Sequence, residues 1–240
     1  MAAAIYTREF VRELFDEMSG TYGIVNVVSS FGFCLRWRRQ CVDGARLASR
    51  GKVCDLMSGA GELWPLVVRD LGGVGHITAV DLSPSMNARG ATAATALPIR
   101  VDVLTGDALA SPLLDASVDV VMSSFGLKTF NRCQLRALAI EVARILKPGG
   151  RVSFVEISVP PSTWLRVVYM FYIARVIPLI GAAFLGNPDN YRMLGIYTSA
   201  FANCEYFRRC CEDAGLSVRS RALFFGCATG VVGQRPEEAA

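Results

Sequence analysis

"VCDLMSGAGELW", residues 53–64, is the stretch that decides the fold. A short apolar run enters a Gly-Ala-Gly turn and continues directly into helix-forming residues. Gly59 and Gly61 permit a sharp bend and a close approach of backbone to a ligand. Asp55 closes the first strand, and Asp81 stands at the end of the next, twenty residues beyond Gly61. A carboxylate at that place accepts hydrogen bonds from the ribose hydroxyls of a nucleoside, with Leu82 beside it. A dinucleotide fingerprint carries a third small residue here, so that the helix lies close to the strand with a pyrophosphate at its N-terminus. This chain has Glu62 after the second glycine and Trp64 at the third site. An acidic first helical turn repels a pyrophosphate. It fits a cofactor with an adenosine, no phosphates and a positively charged end, which is S-adenosylmethionine (SAM).

Outward from this turn, strand-like and helix-like segments alternate. "KVCDLM" (52–57), "HITAVDL" (76–82), "RVDVLTGDA" (100–108), "SVDVVMSSF" (117–125) and "RVSFVEIS" (151–158) read as strands. The spacing predicts helices from about Glu62 to Leu71, from Ser83-Pro84 onward, and from about Arg132 to Leu146. Ser83 is a cap and Pro84 sits at the first position, where its missing N–H costs nothing. Lys147-Pro148-Gly149-Gly150 reads as a helix stop and turn. The pattern predicts an α/β chain with a Rossmann-like, mainly parallel sheet covered on both faces and a ligand at the carboxyl ends of the strands. A helix near Glu205–Ala214 precedes "SVRSRALFF" and "CATGVVGQR", two strands placed to pair as an antiparallel edge. One domain of 240 residues is expected: an N-terminal helical region (5–48), a core (49–158), an apolar insert (159–203), and a last helix with edge strands (204–235).

Composition narrows the function. The formal net charge is +4, and the longest basic run is Arg36-Trp37-Arg38-Arg39, so no nucleic-acid partner is expected. Eight cysteines are scattered without a Cys-x-x-Cys pair and read as reduced, mostly buried thiols of a cytoplasmic protein. No His, Cys or carboxylate cluster has metal-ligand spacing, so no metal is expected. His76, the one histidine, opens the second strand away from the ligand end and excludes a His-based triad. "WLRVVYMFYIARVIPLIGAAFLG" (164–186) approaches membrane-spanning length. Arg175 near its middle costs about 2.5 to 3.5 kcal/mol on insertion, and Pro178 and Gly181 interrupt it. A lid or an interfacial helix is expected, with peripheral membrane contact; a homodimer interface is the alternative.

Three further positions face the same crevice. Asp107, after Gly106 at the third strand end, accepts from the adenine amino group; Ala108 supplies a backbone N–H; Ser124 ends the fourth strand. Acidic residues at consecutive strand ends are costly unless paired.

Four blocks carry a family resemblance. "LFDEMSGTYGIVNVVSSFGFCLRWRRQ" (14–40), "SSFGLKTF" (123–130), "LKPGGRVSFVEISVPP" (146–161) and "GNPDNYRMLGIYTSAF" (186–201) occur in this order. The sequence resembles class I SAM-dependent methyltransferases, and within them the ubiquinone/menaquinone C-methyltransferase family. The resemblance implies a seven-stranded sheet and SAM contacts at Ala60 (backbone), Asp81, Asp107, Ala108 and Ser124. It also implies a polyprenyl hydroquinone precursor as the lipophilic acceptor. The chain departs from the pattern at Gly23, at Cys34-Leu35, where relatives tend to have His-Arg, and at Lys128-Thr129, where they have Arg-Asn. Arg and Lys are not interchangeable where a guanidinium forks onto an oxygen.

Carbon methylation needs a phenolate or enolate acceptor. The candidates are Lys128 to stabilise an oxyanion, Tyr22 and Tyr191 to hydrogen-bond it, and Glu156 as base or water-orienting group. Trp164, Tyr169, Phe171, Tyr172, Ile177 and Phe184 of the insert are expected over the crevice, holding a prenyl tail or resting on a membrane. Two rival readings stand beside this one: a methyltransferase acting on a specialised metabolite or lipid amine, and a membrane-associated SAM-binding protein without turnover.

Overall fold

The computed structural model describes residues 4–46, 51–71, 73–184 and 186–237. The expected boundary at residues 48 and 49 lies outside the described residues. In chain order the elements are α1 (Arg8–Met18), α2 (Tyr22–Ser29), α3 (Phe33–Gly44), β1 (Gly51–Leu56), α4 (Trp64–Asp70), β2 (Val74–Asp81), α5 (Pro84–Ala94), β3 (Arg100–Thr105) and β4 (Val118–Ser124). They continue as α6 (Arg132–Ile145), β5 (Leu146–Ile157), α7 (Thr163–Phe171), α8 (Ile177–Ala183), α9 (Pro188–Phe201), α10 (Glu205–Asp213), β6 (Ser217–Leu223) and β7 (Ala228–Gln234).

The seven strands form one sheet in the order β3-β2-β1-β4-β5-β7-β6. The first five are parallel, and β7 and β6 complete the edge in antiparallel pairing. The order reverses between β1 and β4, which opens a crevice at their carboxyl ends. Side-chain alternation divides the core. Cys54, Leu56, Val121 and Phe154 face α6 and α10, while Val53, Val120, Met122 and Val155 face α3 and α4. A third cluster, built on Leu14, Val25, Ile173, Ile177, Tyr191 and Tyr197, joins α1 and α2 to the insert helices.

Two local expectations are corrected, and the expected interruption of the insert is located. Helix α4 starts at Trp64, two residues late, because Pro65 lacks an N–H and belongs in a first turn. Glu62 is therefore in the turn itself. Strand β5 begins at Leu146 instead of Arg151; the Lys147–Gly150 stretch bulges, with Val118 opposite Leu146 and Val120 opposite Arg151. The insert is a bent helix: a π turn over Tyr172–Val176 precedes Pro178, whose ring would clash with a regular α-helical carbonyl.

Ser83 caps α5 as expected, its hydroxyl accepting from the Met86 N–H at 3.0 Å. His76 lies near the start of β2, its Nε2 2.9 Å from Asp102. All eight cysteines are free, and only Cys133 is exposed. Among the described residues no group of His, Cys or carboxylates is placed to hold a metal.

Trp64 is fully buried and answers for its own position. Its indole N–H donates to Asp55 Oδ2 at 2.9 Å. The ring fits against Gly61 and Gly90, where a Cβ would come within 2.4 Å and 3.0 Å of it. Gly61 also has φ of +86°. Gly61→Ala is expected to destabilise the protein by about 2 to 4 kcal/mol, from left-handed strain plus overpacking. Urea unfolding checks this, with Gly20→Ala, which has open space around it, as the near-neutral control.

Candidate active site

A cavity of about 850 Å³, counting its open mouth, lies over the carboxyl ends of β1, β2, β3 and β4. Met57, Ser58 and Gly59 enter it from the turn after β1, Asp81 and Leu82 from the end of β2, Asp107 and Ala108 from beyond β3, and Ser124 and Phe125 from the end of β4. Helix α1 forms part of its wall through Arg8, Val11 and Phe15. Met57 and Phe125 are non-glycine residues with φ of +54° and +67°. Both flank the β1/β4 switch, where strained backbone is found at functional sites.

Asp81 is held in one orientation. Its Oδ2 accepts from the Gly59 N–H at 2.8 Å and its Oδ1 from the Ser83 N–H at 2.9 Å. Burial pushes its pKa up to about 6, against the pull of these two amides; the nearby Glu62 and Asp16 add to the rise. Asp107 Oδ1 accepts from the Leu109 N–H at 2.9 Å, and its Oδ2 is 3.3 Å from Arg8 Nε.

Of the residues expected to meet a nucleoside, Gly59, Asp81, Leu82, Asp107, Ala108 and Ser124 line the cavity. Asp55, Ala60 and Gly61 do not. Asp55 is 1% exposed and bonded to Trp64, and burial drives its carboxyl well above the usual range. It is therefore a support of the turn, which corrects its expected place in the ligand shell.

A second cavity, about 1500 Å³ counting its mouth, opens beside the first. The two share Phe15, Tyr22, Phe125 and Thr129. The second is walled by aromatic and aliphatic side chains of α1, α2, α3 and the insert, and among the described residues Lys128 is the one charged group in its lining. Cys34 and Thr129, at two of the sites that depart from the family pattern, also line it, while Leu35 is exposed.

The four proposed chemical groups separate here. Lys128 is 4% exposed; its Nζ donates to the Phe125 carbonyl and to Glu156 Oε1, the latter at 3.1 Å. Glu156 is fully buried, accepts also from the Lys128 and Ile157 backbone N–H groups, and lines neither cavity. This placement corrects its reading as a base: it is the counterion of Lys128. Tyr22 stands at the junction of the cavities, and burial, then Glu62, raises its phenol pKa. Tyr191 lines the second cavity with its hydroxyl 2.7 Å from Thr21 Oγ1. Within the insert, Tyr169, Tyr172 and Ile177 line the chamber, whereas Trp164 and Phe171 point outward, 78% and 64% exposed. Phe184 packs with the third core cluster.

Sequence reasoning does not single out Arg38, Ser58, Met57 or Phe125. Arg38 hides in a run that reads as basic surface. A signal exists: Cys34, Trp37, Cys41 and Val42 form a buried helical stripe, and position 38 falls on it.

The model of the ubiE/COQ5 methyltransferase family matches residues 3–234. The chain belongs to that family. It is 36% identical over 223 residues to the demethylmenaquinone methyltransferase of Thermus thermophilus, covering 93% of this chain and all of the relative. It is 33% identical over 221 residues to the ubiquinone/menaquinone biosynthesis C-methyltransferase UbiE of Roseobacter denitrificans, covering 91% and 87%. A methyltransferase solved with the Haloferax volcanii Trm112 activator shares the fold, with a TM-score of 0.66 at 21% identity over 93% of this chain and 98% of that one. So does the geranyl diphosphate C-methyltransferase of Streptomyces coelicolor, with a TM-score of 0.57 at 17% identity over 82% and 78%. The protein is a SAM-dependent methyltransferase of the class I fold.

The cavity lining fits that cofactor. Asp81 lines the cavity with its carboxylate fixed by two backbone amides, and Ser58 Oγ is buried with no hydrogen-bond partner. If ionised Asp81 is the acceptor, SAM affinity falls as pH drops through about 6, by up to about tenfold per pH unit. Calorimetry between pH 5 and 8 checks this, with Asp81→Asn giving weak binding and a flat profile.

Proposed function

We propose that this enzyme methylates a ring carbon of a prenylated hydroquinone, as the names of its relatives suggest for them. The observation that carries the reading is the junction of the two cavities at Phe15, Tyr22, Phe125 and Thr129. One cavity is bordered by acids at strand ends and by Arg8, Arg12 and Arg38; the other has an aromatic and aliphatic wall suited to an isoprenoid tail. The bound cofactor supplies an electrophilic sulfonium methyl. Asp81, Leu82, Asp107, Ala108 and Ser124 hold its nucleoside, with the turn at Gly59 packed beneath. The chain's task is alignment and exclusion of water, since the displacement is in line.

Lys128 is the group placed to stabilise the acceptor as a phenolate. Its ammonium sits in an apolar wall with Glu156 behind it, so the group keeps its orientation, and the hydrogen atom not engaged by Glu156 or the Phe125 carbonyl is the one available to an acceptor oxygen. Tyr22 and Tyr191 border the acceptor space, the first as the hydrogen-bond partner nearer the donor cavity. Incubation with labelled SAM and demethylmenaquinol tests the function directly: a product carrying one labelled methyl on carbon is expected, and methylation on oxygen contradicts the reading. Replacing the pair together, Lys128→Met with Glu156→Gln, avoids leaving one buried charge alone. The double variant is expected to lose about 100-fold in kcat with the Kd for SAM within about twofold, because Lys128 does not line the donor cavity.

The same reading extends to a membrane surface. Thr163–Ala183 is long and apolar enough to cross a bilayer by length and composition, yet its inner face walls the second cavity. Its outer face presents Trp164, Val167, Phe171 and Leu179, and residues 160–188 contain Arg166 and Arg175 but no acid. Such a face lies on an anionic lipid surface better than it spans one. Trp164→Asp with Phe171→Asp is expected to weaken sedimentation with phosphatidylglycerol vesicles by about tenfold or more. Turnover of a short-tailed, water-soluble acceptor stays unchanged.

A further inference from the structure

The second chamber has an inner end and an outer one. Its inner end is the junction with the donor cavity, where none of Phe15, Tyr22, Phe125 and Thr129 is exposed. Among the described residues of its lining, the exposed ones are Phe31, Val168 and Phe224. They come from three separate parts of the chain: the turn between α2 and α3, helix α7, and the turn after β6. Their convergence marks the mouth.

The rim holds aromatic rings outward. Phe31, Phe224 and its neighbour Phe225 have φ of +50°, +43° and +54°, a left-handed backbone that a bulky side chain rarely adopts. Phe31 is 80% exposed and Phe225 78%. The Phe224 ring packs on Phe33 at 4.3 Å between centroids, and Phe31 meets Tyr172 at 6.0 Å. Tyr172 donates to the Ser29 carbonyl at 2.8 Å and Tyr169 to the Cys227 carbonyl at 3.1 Å, which fastens the insert to the other two sides of the mouth. Exposed apolar surface of this kind marks an interaction site.

Charge selects what covers it. The chain has 21 acids, yet residues 18–42, 157–188 and 214–236, which carry the three sides of the mouth, contain none. Arg36 is exposed on α3 beyond Phe31, and Arg166 and Arg175 are exposed along the insert. Rings flanked by arginines without acids complement an anionic lipid surface. A second copy meeting this face across a two-fold axis would set the same arginines against each other.

We propose that the second chamber opens directly into an anionic bilayer through the mouth formed by Phe31, Val168 and Phe224, and that the acceptor's tail stays in lipid while its ring reaches the donor cavity. The proposal rests on the prenylated-hydroquinone reading of that chamber and adds the route and a rule of specificity. A chamber that enclosed the tail would select its length. An open mouth leaves the outer isoprene units in hydrocarbon throughout, where they contribute equally to ground and transition states.

The first test needs no turnover. In a Trp164→Phe background the remaining tryptophans, Trp37 and Trp64, are buried, so a reporter introduced by Phe31→Trp or Phe225→Trp reads its own surroundings. Phosphatidylglycerol vesicles brominated on the acyl chains are expected to quench either reporter by about half or more, since interfacial apolar groups reach about 5 to 10 Å into the lipid boundary. Leu114→Trp, at an exposed site near the amino end of β4, is expected to stay unquenched. Absence of quenching at Phe31 and Phe225 overturns the proposal, whether that face is in water or covered in a dimer detected by sedimentation.

The second test uses acceptors carried in the same vesicles. Once the prenyl tail is long enough to reach the mouth, kcat/KM is expected to vary by less than about threefold as the tail lengthens; a sharp optimum overturns the open mouth. Phe225→Asp lies outside the chamber lining, at a backbone conformation that aspartate tolerates better than phenylalanine. It is expected to lower kcat/KM for the vesicle-borne acceptor by about tenfold or more and to leave turnover of a short-tailed, water-soluble acceptor unchanged. Equal loss with both acceptors overturns the route. Quenching without methylation of any prenylated hydroquinone overturns the substrate reading, and the route with it.

Discussion

The indole of Trp64 holds the site together. It is hydrogen-bonded to Asp55 beneath it and lodged between Gly61 of its own turn and Gly90 of α5. This one side chain ties β1, the glycine turn and the helix after β2 into a single unit, and the turn can then present the Gly59 N–H to Asp81. A dinucleotide-binding turn achieves close helix–strand packing with a small third residue. Here a large ring fills the gap and uses its N–H to satisfy a buried carboxyl, while the smallness is moved to Gly61 and Gly90. The cavity above is left for a ligand without phosphates.

Around this support several charges are buried or partly buried, and they are answered differently. Lys128 and Glu156 answer one another, with backbone amides completing the carboxylate's acceptors. Glu141 is matched by Arg144 and by both the N–H and hydroxyl of Ser111. Such pairs contribute little net stability, because desolvation offsets attraction, but breaking one is costly. Arg38 and Glu62 differ: they are near each other without bonding, and both face the donor cavity.

The two cavities meet where the sheet and the helical layer join. The strand ends and their loops, with α1 and Arg38 of α3, border the first cavity, and α1, α2, α3 and the insert wall most of the second. Phe15, Tyr22, Phe125 and Thr129 form the boundary, where two residues come from the helical layer and two from the end of β4 and its following turn. The bend at the π turn before Pro178 lets the insert close over the chamber without losing its helical hydrogen bonding altogether.

By itself the sequence determined the alternation of strands and helices, the parallel sheet with its antiparallel edge, the cap at Ser83 and the acids at Asp81 and Asp107. These follow from periodicity and from residues acting on their immediate neighbours. The four motif blocks carried the family. The tertiary structure alone decided the rest. Asp55 and Glu156 read as ligand-facing because they stand near strand ends, yet each is turned away to a partner, Trp64 or Lys128. For Trp164 and Phe171 the sequence left two places open, over the chamber or on an outer face, because the facing of a bent helix depends on where its bend falls. Arg38 lay in a basic run whose local composition could not distinguish an exposed arginine from a buried one. Strand and helix period says which face is buried. It does not say which charge meets which across a chain in which Thr21 touches Tyr191, 170 residues away. Only packing brings such groups together.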